Sequence, residues 1–206
     1  GLLTGVGTVM LPRMSALAGD NEKGKLNDLF NISIRAIGLV ASAMCCGIAA
    51  IANEFTPLFF GKGYDNCIIL IIVLAPVLFV KGLSLISRNL YLIPRKMENK
   101  LTSSVIAGAV VNLIVNFILI TKLGALGAVI GTLAAECVSC IWQYFLIRHE
   151  VNCFKSIIIS LVYFVFGIIM FIVVRAASSL LLTSLIVRVI IEVLIGAIIY
   201  CVLCLI

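Results

Sequence analysis

The sequence predicts an all-α, polytopic transmembrane helix bundle, and three observations carry that reading. Hydrophobic residues make up 63% of the chain and charged residues 12%, with a mean hydropathy of +1.28, whereas a soluble domain is about one quarter charged. The apolar residues form runs long enough to cross a bilayer, which takes about 20 residues of helix. Lys and Arg cluster between those runs, where membrane loops collect them, so the net charge of +6 reflects topology and not nucleic acid as a partner.

Residues 1–11 are apolar, too short for a span and without a basic leader, and read as the end of a helix that begins upstream. Residues 12–35 read as a polar loop. Residues 36–60 form the first complete span, apolar apart from Ser42, Asn53 and Glu54, and close at Pro57 and Gly61. After a short loop, GKGYDN, residues 68–93 form a second span. A kink is expected in it at Pro76, whose ring removes one helical hydrogen bond.

Residues 103–136 read as a helical hairpin turning at 121–125, with its second arm continuing to Ile147. Such a turn belongs at the membrane surface, where water satisfies the loop backbone. The connector RHEVNCFKS leads to two last spans, 156–174 and 185–206, giving six complete spans and one fragment.

The distribution of cations orients them. Arg13, Lys23, Lys25, Arg35, Arg95, Lys96, Lys100, Arg148 and Lys155 fall on one set of loops, and Lys62, Lys122, Arg175 and Arg188 on the other. The richer set is retained in the cytoplasm, which puts the C-terminus there too. The eight cysteines are scattered, mostly inside apolar runs; Cys137/Cys140 and Cys201/Cys204 have C-x-x-C spacing but no adjoining turn or further ligand, so they read as small buried hydrophobes.

Two cations, Lys81 and Arg88, lie inside a span. With Ser84 and Tyr91 they recur at helical spacing and form a stripe on one face. A Lys or Arg at mid-bilayer costs about 2.5–3.5 kcal/mol on insertion scales, so it faces a bundle interior or a wet cavity. A cationic stripe there suits an anionic ligand. The structural alternative pairs Lys81 with Glu54 or Glu136 and lets Arg88 reach the cytoplasmic surface.

Asn112 and Asn116 lie one turn apart on the first hairpin arm, and Thr132, Glu136, Ser139 and Gln143 stripe the second. Both sets suit either a cavity lining or hydrogen bonds between helices, worth about 1 kcal/mol each in a membrane. Glu136 is in addition a candidate ion- or proton-coupling group. Gly124, Gly127 and Gly131 suit close helix packing, and Arg188 with Glu192 suits a local ion pair at i, i+4. No carboxylate pair, Ser-His-Asp set, metal cluster or phosphate-binding loop points to an enzyme or to a cofactor.

The runs TVMLPRMSALAG (8–19), PLFFGKGYDN (57–66), SRNLYLIPRKMENK (87–100) and AGAVVNLIVNFILITKLGALGAVIGTLAAE (107–136) resemble the C-terminal half of bacterial polysaccharide repeat-unit flippases. These O-antigen and capsule transporters belong to the superfamily of the multidrug and toxin extruders and the lipid II flippase. The resemblance implies a two-lobed bundle working by alternating access in the bacterial inner membrane, with residues 1–155 a lobe lacking its first helix and 156–206 an added helix pair. It implies as substrate an undecaprenyl-pyrophosphate-linked oligosaccharide, with Lys81 and Arg88 on the pyrophosphate, Asn112, Asn116 and Gln143 on the sugars, and Ser84 a further substrate-binding residue. Membrane lipids, a preceding lobe of the same protein and a polysaccharide polymerase are the implied partners. A cation-coupled drug extruder, working through Glu136, and a non-transporting scaffold of a polysaccharide assembly complex are the competing readings.

Overall fold

The computed structural model describes residues 23–179 and 184–205. The helix end expected at residues 1–11 and the first part of the loop expected at 12–35 lie outside them. The elements are α1 (Lys23–Phe59), α2 (Asn66–Leu74), α3 (Pro76–Ile86), a π-helical turn (Ser87–Leu92), α4 (Glu98–Leu123), α5 (Ala125–Ile147), α6 (Phe154–Ser178) and α7 (Leu185–Leu205). Six segments are long and apolar enough to cross a membrane: Asn27–Phe59, Asn66–Leu92, Glu98–Leu123, Ala125–Ile147, Phe154–Ser178 and Leu185–Leu205. The chain is an all-α, multi-pass membrane protein.

One boundary expected from composition is corrected. From Lys23 onward the expected loop is helix, continuous with the first span. Asn27, Asp28, Asn31 and Arg35 give the segment a loop-like composition, but Phe30, Ile34, Ile37 and Ala41 recur at helical spacing and are all buried. At 1.5 Å per residue a 37-residue helix is about 55 Å long, so its first turns stand clear of a hydrocarbon layer about 30 Å thick. The second span is interrupted where expected. α2 ends at Leu74 and α3 starts on Pro76, with Ala75 between them in helical geometry.

α1 is the central element. α6 lies along it, α7 adds to the same side, and α2 and α3 cover another flank. α5 packs on α2 and α3, and α4 on α5 and the π turn. The α1–α6 contact is close because Gly167 faces Cys46, where a Cβ would lie 2.8 Å from Sγ, and Gly38 faces Ser160. Ser160 donates to the Ile34 carbonyl at 3.0 Å, and the Tyr200 hydroxyl of α7 meets Ser42 at 2.6 Å and the Leu39 carbonyl at 2.8 Å. These bonds satisfy hydroxyls that lipid cannot.

The hairpin α4–α5 turns on a single residue, Gly124, at φ 57° and ψ −129°, a region open to glycine and strained for other residues. Just beyond it the arms touch backbone to backbone. A Cβ at Gly127 would fall 2.5 Å from the Leu119 carbonyl, and one at Gly108 would fall 2.9 Å from the Ala135 carbonyl.

Candidate functional site

Lys81 lies near the middle of the 27-residue second span, where its Nζ meets Glu136 Oε1 of α5 at 3.1 Å. Of the two counter-ions expected for Lys81, the pair is therefore made with Glu136. The Lys81 side chain is 56% exposed and that of Glu136 27%, so the described residues leave one side of this intramembrane pair uncovered. A charge pair bare to hydrocarbon on that side is costly. Such a pair is suited to a wet cavity or to a surface met by other helices.

Arg88 follows two turns later, in the π turn. It is half-buried, has no carboxylate partner among the described residues, and its Nε is buried without a hydrogen bond. The stripe thus holds one neutralised cation and one unpaired cation. Tyr91 is buried, carries the Arg95 guanidinium over its ring at 4.6 Å, and directs its hydroxyl to Glu150 at 3.4 Å.

Ser84 and Gln143 are brought together and buried. Gln143 is completely buried, and its amide oxygen accepts from Ser84 Oγ at 3.0 Å and from Ser87. Its amide nitrogen donates to Ser104 Oγ at 3.2 Å and to Ser139 Oγ at 3.4 Å. Two bonds at each end satisfy the group. It ties α3, the π turn, α4 and α5 into one unit. Tyr144 adds a bond from α5 to the Leu83 carbonyl at 3.0 Å.

Asn112 and Asn116 pair with each other along α4, Nδ2 of Asn116 donating to Oδ1 of Asn112 at 3.0 Å. The Asn116 Oδ1 is buried without a partner and presses on Gly131 of α5, where there is no room for a Cβ. The glycine is small because the amide occupies its place. Thr132 bonds back to the Ala128 carbonyl at 3.0 Å.

A second charged cluster was not apparent in the sequence. Glu54, 5% exposed, accepts from Arg175 at 3.2 Å, Arg188 at 3.1 Å and Ser178 at 2.9 Å. The expected Arg188–Glu192 pair is present at 3.3 Å but is one side of this larger cluster, and Glu192 Oε2 is buried without a partner. The sequence signal was four charged residues at the same ends of three apolar runs, which periodicity within any one run does not connect. Among the described residues no group of side chains is placed to hold a metal ion.

Comparison with known proteins adds the family. Residues 2–200 match the profile of the family described as lipid II flippase MurJ. The chain is also 27% identical over 138 residues to an Escherichia coli (strain K12) protein described as "Putative O-antigen transporter", a match covering 66% of this chain and 33% of that protein. The chain thus aligns with about a third of that relative's length. No solved structure gives a significant match. With a profile spanning nearly its whole length and a membrane-helical fold in agreement, the chain belongs to the lipid II flippase MurJ family.

Proposed function

We propose that the chain forms part of a flippase that moves an undecaprenyl-pyrophosphate-linked oligosaccharide repeat unit across the bacterial inner membrane by alternating access. The observation that carries the reading is the Lys81–Glu136 pair, open on one side at mid-membrane with unpaired Arg88 on the same stripe. A pyrophosphate arriving there competes with Glu136 for Lys81 and finds in Arg88 a planar donor fork matched to phosphate oxygens. Glu136, once released, is free to take a proton or a cation, which makes it the coupling candidate of this half. Asn112 is placed to meet sugar hydroxyls, while Ser84, Gln143 and Asn116 hold the helices that present the cations.

In this reading residues 1–155 belong to the second lobe and 156–206 form an added helix pair. The C-terminus is cytoplasmic, and no covalent chemistry takes place. The family description names lipid II and the relative's name an O-antigen; an anionic lipid-linked headgroup suits the cationic stripe in both cases.

The test uses the full-length protein in a strain that depends on it. Lys81→Ala and Arg88→Ala should each cause lipid-linked repeat units to accumulate on the cytoplasmic face, and the double variant more so. Normal surface polysaccharide in all three would remove the stripe from transport. Loss of drug efflux in Glu136→Gln, with Lys81→Ala unaffected, would favour a cation-coupled extruder.

A further inference from the structure

A second site lies at the Lys- and Arg-rich end of the bundle, where α1, α5 and α6 converge. A cavity of about 770 Å³ there is lined by Asn27, Tyr144, Arg148, His149, Asn152 and Phe154, among others. Its size falls within the roughly 300–1,000 Å³ of small-molecule sites. Polar links tie its wall together: the Asn152 N–H donates to Asn27 Oδ1 at 3.1 Å, and Asn31 Nδ2 donates to the Asn152 carbonyl at 3.1 Å.

The charges on that wall are unevenly matched. Glu150 is already engaged, by Arg95 at 3.7 Å and by the Tyr91 hydroxyl at 3.4 Å. Arg148 has no carboxylate partner among the described residues. Its guanidinium lies over the Phe145 ring at 4.0 Å and its Nε donates to His149 Nε2 at 3.0 Å. Among the described residues the Nη donors of Arg148 thus have no partner, and His149 accepts from the same guanidinium. At the same end of the bundle Trp142, Phe145 and Phe154 are 44%, 53% and 73% exposed, the aromatic belt expected at a membrane–water interface.

We propose that this cavity binds the phosphate headgroup of a resident anionic phospholipid of the inner leaflet, with its acyl chains along Phe145 and Phe154. An unpaired guanidinium stacked on an aromatic ring, in a cavity between span ends, has the chemistry such a headgroup requires. The transported lipid is a poorer fit. Arg148 is twelve residues beyond Glu136 on the same helix, about 18 Å along its axis. The cavity is walled by α1 and α6, neither of which contributes to the Lys81 pair. The proposal rests on the chain spanning a membrane and not on which lipid it moves, so either reading can fail without the other.

Full-length protein reconstituted in nanodiscs of mixed phosphatidylcholine and phosphatidylglycerol, then released for native mass spectrometry, gives the count of retained lipids. Wild type should retain phosphatidylglycerol in preference to phosphatidylcholine. Arg148→Ala should lower that retention about tenfold, the loss of one or two charge-assisted hydrogen bonds, Arg148→Lys less so, and Lys62→Ala at the opposite end not at all. His149→Ala provides a milder second variant should Arg148→Ala fail to fold. Equal retention of the two lipids by wild type, or undiminished phosphatidylglycerol in the variant that folds, overturns the proposal. So does displacement of phosphatidylglycerol by inorganic phosphate at equal concentration, which makes the site one for free phosphate. With undecaprenyl pyrophosphate added to the same nanodiscs, its selective loss in Arg148→Ala also overturns the proposal, by placing the cavity on the transport path.

Discussion

Glu54, near the end of α1, and Arg188, in the first turn of α7, meet at 3.1 Å, with Arg175 of α6 bound to the same carboxylate at 3.2 Å. The cluster joins the last helix pair to the central helix at the end opposite the Arg148 cavity. Glu54→Gln keeps the shape and removes the charge that both arginines share. Breaking a buried pair from one side costs about 3–5 kcal/mol, so the melting temperature of the purified protein should fall clearly. Adding Arg188→Met should cost less than it does alone, by the share of its effect that runs through Glu54, while the share that runs through Glu192 remains. Additive losses would show that the ion pair does not couple the helices.

The Lys81–Glu136 pair has a charge-exchange test. Lys81→Glu should lower the amount of folded protein, and combining it with Glu136→Lys should restore that amount, because the attraction is kept with its direction reversed. Transport should not return, since the cation now stands on α5. Recovery of both folding and surface polysaccharide would make the pair purely structural.

Gly131→Ala forces a Cβ into the Asn116 amide oxygen. Overpacking of this kind costs about 1–3 kcal/mol, visible as a lower melting temperature of detergent-solubilised protein. Asn116→Ala removes the obstructing atoms, so the double variant should melt above Gly131→Ala alone. A double variant that melts lower would place the strain elsewhere.

Thiol chemistry reads out topology and burial together. Cys153 is 7% exposed in the connector before α6, and burial pushes its thiol above the usual range. Because the thiolate is the reactive form, its alkylation should be slow at neutral pH and rise only at a pH above that at which an exposed cysteine reacts. In an otherwise cysteine-free background, Asn152→Cys should react with an impermeant maleimide only after the cytoplasmic side is opened, and Lys62→Cys in intact cells. The reverse pattern would invert the orientation.

Spans were legible because lipid imposes length and composition, and the break at Pro76 because it rests on the backbone chemistry of one residue; the turn expected at 121–125 narrows to Gly124, which packs against nothing among the described residues and serves the turn by its positive φ. The stripes through Lys81 and Glu136 followed from spacing within a helix, and charge narrowed the partner of Lys81 to Glu54 or Glu136, but only folding chose Glu136. The same limit hid the Gln143 cluster: Ser84, Ser87, Ser104 and Ser139 belong to four elements, and only folding shows that one amide collects them all. The start of α1 was misread for a different reason. Composition marks where a helix leaves the hydrocarbon, not where it stops being a helix, and α1 continues into water.

The π turn at Ser87–Leu92 gives the second span a kind of slack. A π turn holds one residue more than an α turn needs, and one residue corresponds to about 100° of rotation around a helix axis. Tightening the turn against a fixed Arg95 end would swing Lys81 away from Glu136 with nearly every backbone bond kept. That rotation would also break the Ser84–Gln143 bond, so one buried amide, and not the backbone, keeps the span in the register that pairs Lys81 with Glu136.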